Sequence, residues 1–188
     1  MGNSNVFLPS SGSPRTPWNK SESSLDRTRT ILTKTLAVFR LADNWFGVDI
    51  ALIERVVPID YLTRLTSDCG AILGTVGIEN HLVSVVDLSF VLGIGHSQPE
   101  VHSSILVSRV PSDGIGQFGS SEIGILADEF VDVFFVPARQ ILRYLENDDS
   151  AFEQVIAGEC VCGDRTISVV NVAGIIRVLN STDVAVPA

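Results

Sequence analysis

The chain has 188 residues and a mass of 20.2 kDa, a size that fits one domain or two small domains sharing a core. Hydrophobic residues make up 45% of the chain and charged residues only 19%, which excludes a wholly disordered protein. The formal net charge of −9 makes nucleic acid and anionic membrane surfaces poor partners, because both repel an acidic protein.

The charge is unevenly distributed along the chain. Residues 1–35 contain five basic and two acidic side chains, a net charge of +3, so the remaining residues carry −12. Residues 1–34 are rich in Ser and Pro, which predicts a flexible N-terminal extension; a short helical turn over Leu25–Leu32 is the alternative. We expect a soluble cytoplasmic protein, because the N-terminus is too polar for a signal peptide and no apolar run would span a bilayer.

From residue 35 onward, short runs of Val, Ile, Leu and Phe are separated by turn residues. Such runs at close spacing predict a mostly β protein, a sandwich or small barrels. Hairpin signals occur at Asp43-Asn44, Glu79-Asn80 and Gly163-Asp164. In chain order, the predicted strands are Thr35–Leu41, Trp45–Ile50, Val56–Pro58, Gly74–Ile78, Leu82–Leu88, Ile105–Val110, Glu122–Ala127, Asp132–Val136, Gly158–Cys162 and Thr166–Val172. The predicted short helices are Ala51–Arg55, Leu88–Leu92, Ala138–Tyr144 and Ala173–Leu179.

Part of the sequence is repeated at an offset of 84 residues. Ile72–Leu92 aligns with Ile156–Ile176 without a gap, and a weaker match pairs Phe46-Gly47-Val48 with Ile123-Gly124-Ile125. Chance similarity between Val-rich strands is the alternative, but the gap-free length favours duplication. The repeat therefore predicts two similar small β-barrels joined through a shared interface.

The sequence offers no set of convergent side chains for catalysis. His81, His96 and His102 lack a metal-ligand spacing, and we predict that they lie in loops or at the surface. Cys160 and Cys162 align with apolar residues in the repeat, which favours core packing over a zinc site with its four ligands. We therefore predict no catalytic residue, no metal site and no cofactor; an enzyme that uses one of these cysteines is a minor alternative.

Five segments of the predicted core occur in a characteristic order: Phe39–Ile50 (FRLADNWFGVDI), Leu62–Leu65 (LTRL), Ile72–Leu88 (ILGTVGIENHLVSVVDL), Glu122–Asp128 (EIGILAD) and Gly163–Val172 (GDRTISVVNV). In this order and spacing they resemble the CheW-like domain, the adaptor of bacterial chemosensory arrays, over about three quarters of the chain. The resemblance implies two five-stranded SH3-like barrels packed side by side. We expect this domain at residues 35–182, with subdomains at 35–95 and 103–182 and a C-terminal tail at 183–188.

The resemblance also implies a non-enzymatic scaffold. CheW-like domains dock onto the regulatory domain of a chemosensory histidine kinase and onto the cytoplasmic tip of a chemoreceptor, whose helix lies in an apolar groove between the barrels. The implied location is the cytoplasm, with recruitment to membrane-associated receptor arrays. The alternative is a stand-alone assembly or competitor module outside a receptor array, which would bind only one of these partners.

Two positions depart from the family pattern, and both exchange the sign of a charge. This chain has Gly77-Ile78-Glu79-Asn80 where the family usually has Asn-Leu-Arg-Gly, and it has Arg55 where the family usually has Glu. We therefore predict that Arg55 and Glu79 contact each other with reversed polarity. The reversal favours a dedicated receptor and kinase, for example in pilus-linked motility or phototaxis.

By position in the resemblance, the predicted partner-binding patch comprises Ile53, Arg55, Gly74, Val76, Glu79 and Val86. Packing inside a barrel explains the apolar members equally well, and Gly74 fits a strand bend or a close backbone approach, as does its repeat partner Gly158. Only the two charged residues therefore discriminate between a binding surface and a core.

Overall fold

The computed structural model describes residues 32–65, 70–110, 122–144 and 150–181, which belong to one compact unit of the chain. The predicted extension up to residue 31, nearly all of the Leu25–Leu32 turn and the tail at 183–188 lie outside the described residues. Within the described residues, no helix is long and apolar enough to cross a membrane.

Strands dominate the described part of the chain. They are β1 (Thr33–Leu41), β2 (Asn44–Asp49), β3 (Ile53–Pro58), β4 (Leu62–Arg64), β5 (Ile72–Ile78), β6 (His81–Val86), β7 (Ser104–Arg109), β8 (Glu122–Ala127), β9 (Glu129–Pro137), β10 (Leu142–Arg143), β11 (Ile156–Cys162) and β12 (Arg165–Val170). The helices are α1 (Leu88–Val91), α2 (Ala151–Val155) and α3 (Val172–Ser181), with 3₁₀ turns at Ile50–Leu52, Ile59–Tyr61 and Ala138–Gln140.

These strands form two curled sheets of six strands each within the described residues. Sheet A has the order β10-β11-β12-β2-β1-β9, and sheet B has the order β4-β5-β6-β8-β7-β3. Neighbouring strands are antiparallel except at β12–β2 in sheet A and β6–β8 in sheet B. The two sheets therefore share one topology, and the predicted fold class, mostly β with two barrel-like subdomains, is confirmed.

The sheets do not follow the order of the chain. β1 and β2 join β9–β12 in sheet A, whereas β7 and β8 join β3–β6 in sheet B. The predicted subdomains at 35–95 and 103–182 therefore each contribute strands to both sheets. A sequence repeat shows which strands of the two copies are equivalent. It does not show which of the two sheets each strand joins.

All ten predicted strands are present, five in each sheet, and the repeat relates β5, β6 and α1 to β11, β12 and α3. The sixth strand of each sheet, β4 in sheet B and β10 in sheet A, is an edge strand that was not predicted. These strands have only three and two residues, too few to show an alternating apolar pattern.

Two predicted helices are wrong and two are confirmed. Ala51–Arg55 is a 3₁₀ turn that ends at Leu52 and leads into β3, where β-branched residues pair with β7. Ala138–Tyr144 likewise begins as a 3₁₀ turn and ends in β10, which pairs with β11. The predicted helices at α1 and α3 are confirmed, whereas α2, capped by the Ser150 hydroxyl, was not predicted.

The largest core cluster takes buried side chains from both sheets. It includes Phe39 and Phe46 of sheet A, whose rings stack at 5.9 Å, together with Leu106 and Ile125 of sheet B. Each sheet also encloses a smaller apolar cluster of its own. Because the shared cluster is the largest, the packing of each sheet depends on the other.

Candidate partner-binding site

Arg55 and Glu79 lie together at one end of sheet B. Arg55 belongs to β3, and Glu79 lies in the tight turn between β5 and β6 with a φ of +51°. Arg55 Nη2 donates a hydrogen bond to Glu79 Oε1 at 3.0 Å. The contact predicted from the exchanged charge signs is therefore confirmed.

Four further charged or titratable side chains form two more pairs at the same end of sheet B. Arg109 at the end of β7 donates from Nε to Glu54 Oε1 at 2.6 Å. His81, the first residue of β6, places Nε2 2.8 Å from Glu122 Oε2. We call the six residues the charged rim: Glu54, Arg55, Glu79, His81, Arg109 and Glu122.

The strand order of sheet B explains why the charged rim forms. β3, β7, β8, β6 and β5 are successive neighbours, and all six residues lie at the same end of these strands. Arg109 and Glu122 are directly opposite each other in the β7–β8 pair, and the Arg55–Glu79 contact joins β3 to the β5–β6 turn. Acidic and basic side chains thus alternate around this end of the barrel, which keeps like charges apart.

The other four residues of the predicted patch are less exposed. Ile53 is half-buried and packs against the core cluster shared by the sheets. Val76 and Val86 are 0% exposed, and Gly74 is buried within β5. The valine side chains face the core, so the predicted patch reduces at the surface to Arg55, Glu79 and part of Ile53.

Cys160 and Cys162 have the predicted packing role. Cys160 is fully buried in the smaller core cluster of sheet A, and Cys162 packs against the same cluster. Burial raises the pKa of the Cys160 thiol to about 12, so the nucleophilic thiolate form is disfavoured. In the part of the chain that the structure describes, no group of three or more His, Cys, Asp or Glu side chains could hold a metal ion.

His96 and His102 lie in the segment between α1 and β7, and both are exposed, as predicted. The His96 ring packs against Phe90 at 4.9 Å between ring centres, and its Nδ1 is 3.8 Å from Asp87 Oδ2. His102 Nε2 is 3.4 Å from Glu100 Oε2. These contacts are typical of surface histidines that support a loop.

Comparison with known proteins identifies the family. A family model described as the CheW-like domain matches residues 35–180 of this chain. The chain belongs to the CheW-like domain family. Among its relatives, chemotaxis protein CheW of Klebsiella aerogenes is 22% identical over 148 residues, covering 79% of this chain and 82% of the relative. Chemotaxis protein CheW of Rhizobium meliloti is 26% identical over 108 residues, covering 57% of this chain and 64% of the relative.

A solved structure shows the same fold as this CheW-like domain. The crystal structure of scaffolding protein TtCheW from Thermoanaerobacter tengcongensis superposes with a TM-score of 0.65 at 19% sequence identity, covering 79% of this chain and 90% of the other. The two-barrel architecture expected from the sequence is therefore that of a known CheW structure.

The sequence pointed to Arg55 and Glu79 but not to the other four residues of the charged rim. Glu54 and Arg109 are 55 residues apart, and His81 and Glu122 are 41 residues apart. No motif links these positions, since they become neighbours only through the order of strands in sheet B. The only sequence signal for contacts among these four residues was the presence of opposite charges near the ends of strands.

Proposed function

We propose that this CheW-like protein is a non-enzymatic adaptor that couples chemoreceptor cytoplasmic tips to the regulatory domain of a histidine kinase. Its membership of the CheW-like domain family supports this role, as do relatives described as chemotaxis and scaffolding proteins. The observation that carries the proposal is the Arg55–Glu79 pair, which is exposed at the partner-facing position implied by the family resemblance. The protein acts in the cytoplasm and is recruited to membrane-associated receptor arrays.

A strip of half-buried apolar side chains beside the charged rim supports docking of a receptor helix. Ile50 and Leu52 lie in the crossover from β2 to β3, and Ile53 begins β3. All three pack against the shared core cluster. An amphipathic helix binds such a strip through regularly spaced apolar residues, and its charged residues then reach Arg55 and Glu79.

The reversed polarity of the Arg55–Glu79 pair supports a dedicated set of partners. A partner matched to the usual family polarity places like charges against this pair, and like-charge contacts exclude wrong partners. The protein therefore serves its own receptor and kinase rather than a general chemotaxis set. A system for pilus-linked motility or phototaxis is the setting that we propose.

Charge-swap variants of the full chain test this function. Arg55→Glu and Glu79→Arg each bring two like charges together, so each should weaken capture of the kinase regulatory domain and receptor tip from the same organism by about fivefold. The double variant restores the contact and should recover the free energy of unfolding. Compared with the unaltered chain, the double variant should also prefer partners whose charges complement the usual family arrangement of this pair. Biolayer interferometry measures capture, and urea unfolding measures stability.

Arg139→Glu is the matched control, because Arg139 is an exposed arginine in the 3₁₀ turn between β9 and β10, in the other barrel. It should leave both measurements unchanged. Losses that simply add in the double variant contradict the proposed coupling of Arg55 and Glu79. Failure of the unaltered chain to capture either partner contradicts the adaptor function, and capture of only one favours a competitor module.

A further inference from the structure

The barrel formed by sheet A contains a pocket of about 270 Å³. Buried and half-buried apolar side chains line it, including those of Leu36, Leu52, Ile141, Ile156 and Val169. Two basic and two acidic residues complete the lining, and they are half-buried or exposed: Lys34, Asp49, Arg143 and Glu153. The pocket therefore combines an apolar interior with charged groups toward the solvent, and it contains no residue of the charged rim.

The barrel formed by sheet B has no such space at the equivalent place, because two leucine side chains fill it. Leu73 and Leu126 both pack in the apolar cluster that sheet B encloses. The two matches of the sequence repeat align these positions with Ala157 and Asp49, and both of these residues line the pocket. Sheet A thus has a small and a polar side chain where its twin has core leucines, and an apolar space of this kind is a site for an apolar group.

Arg143 and Glu153 are the charged groups that a ligand can reach. Lys34 Nζ lies 2.6 Å from Asp49 Oδ2, so these two charges neutralise each other. Among the residues that the structure describes, neither Arg143 nor Glu153 belongs to an ion pair. The pocket therefore offers one guanidinium group and one carboxylate to a ligand that carries both charges.

The elements that carry these two groups are held in place by hydrogen bonds. The Tyr144 N–H donates to the Ala157 carbonyl at 3.3 Å, which extends the pairing of β10 with β11. Asn171, at the start of α3, donates from its backbone N–H to Val155 at 2.7 Å and from its side chain to the Gln154 carbonyl at 3.1 Å, which fixes α2. A site on such fixed elements loses little entropy when a ligand binds.

We propose that this pocket binds a free amino acid with an apolar side chain, a function separate from the proposed adaptor role. The ligand side chain occupies the space that the two leucines fill in sheet B. The ligand carboxylate pairs with Arg143, whose planar donors match carboxylate geometry, and the ligand ammonium group pairs with Glu153. Because the lining charges sum to zero, a zwitterion fits them better than a simple acid or amine. The volume lies just below the roughly 300 Å³ at which ligand pockets usually begin, so nucleotides are too large.

The test titrates the isotope-labelled full chain with valine, leucine and phenylalanine and follows its backbone amide signals by NMR. At least one of them should bind and shift the signals of residues that line the pocket. Glycine lacks the apolar side chain, and N-acetyl-leucine amide lacks both charges. Each should bind at least about tenfold more weakly than the best of the three.

Variants of the full chain locate the site. Arg143→Gln should weaken binding by about tenfold. Arg64→Gln is the matched control, because Arg64 lies opposite Gly74 in sheet B as Arg143 lies opposite Gly158 in sheet A, and it should leave binding unchanged. Ala157→Leu restores the side chain that sheet B has, so it should abolish binding. Urea unfolding verifies that each variant is folded.

The proposal is wrong if none of the three amino acids binds, or if glycine binds as tightly as they do. Equal binding of leucine and N-acetyl-leucine amide also overturns it, since the pocket then accepts a leucine within a peptide of a partner protein. Two results with folded variants contradict the location: retained binding in Ala157→Leu, and equal affinities of Arg143→Gln and Arg64→Gln.

Discussion

Gly74 and Gly158 occupy equivalent places in the two sheets, and each lies against the backbone of an edge strand. A Cβ atom added to Gly74 would lie 2.2 Å from the carbonyl oxygen of Thr63, and one added to Gly158 would lie 2.2 Å from that of Leu142. Both sites also coincide with a bulge in the strand pairing. The close backbone approach predicted from the sequence is confirmed, and it explains why no larger residue fits.

We expect Gly74→Ala and Gly158→Ala each to lower the free energy of unfolding by about 1–3 kcal/mol, because the edge strand must move to admit the methyl group. Urea unfolding monitored by circular dichroism measures the change. Gly77→Ala is the matched control in β5, since a Cβ atom there meets nothing within 4 Å. Equal stability of the Gly74 and Gly77 variants would show that the edge strand adjusts without cost.

Single residues also show how far the site could be predicted. Arg55 and Glu79 stood out because both depart in charge from a family pattern, and a pair of opposite departures predicts a contact. Glu54, Arg109 and Glu122 have ordinary charges at strand ends, and many other charged residues of this chain look the same. Their grouping follows from the strand order of sheet B, which local sequence does not encode.

At the scale of elements, the start of α1 is held by one buried carboxylate. Asp87 is 0% exposed, and its side chain accepts hydrogen bonds from the backbone N–H groups of Ser89, Phe90 and Ser97 and from the Ser97 hydroxyl. The same side chain therefore caps the helix and anchors the segment that leads to β7. In the second repeat, Asn171 takes this place and donates instead to the Gln154 carbonyl of α2.

Asp87→Ala should therefore cost more than the loss of an ordinary helix cap. It leaves one buried and several partly buried donors without this acceptor, so we expect a loss of about 2–4 kcal/mol in the free energy of unfolding. Ser97→Ala removes one of the four bonds and should cost about 1 kcal/mol. Asp164→Ala, in a turn where the side chain is 96% exposed, should stay within about 0.5 kcal/mol of the unaltered chain. Guanidinium unfolding ranks the three, and any other order would contradict the anchoring role.

The strands that sequence patterns missed share one property. β4 and β10 are edge strands of three and two residues whose side chains are mostly exposed, and they are held by backbone pairing with β5 and β11. Apolar alternation predicts a strand only where one face is buried over several residues. The central strands meet that condition, and all of them were predicted.

At the scale of the whole molecule, the exchange of strands makes the two halves of the chain interdependent. β1 and β2 lie between β12 and β9 inside sheet A, although they come from the other end of the sequence. Removing them exposes the buried faces of β12 and β9 and takes Phe39 and Phe46 out of the shared core. The sequence repeat predicted two similar barrels joined through a shared interface, and the strand order adds that each sheet takes strands from both halves of the chain.

We therefore expect that neither half of the chain folds alone. Fragments 1–95 and 96–188 should each lack a cooperative thermal transition, because each retains only part of either sheet and loses the shared apolar cluster. Mixed in equal amounts, they should recover a cooperative transition, since all the strands of both sheets are then present. Circular dichroism during heating, for each fragment and for the mixture, gives the answer. A cooperative transition in either fragment by itself would show that one sheet stands without strands from the other half.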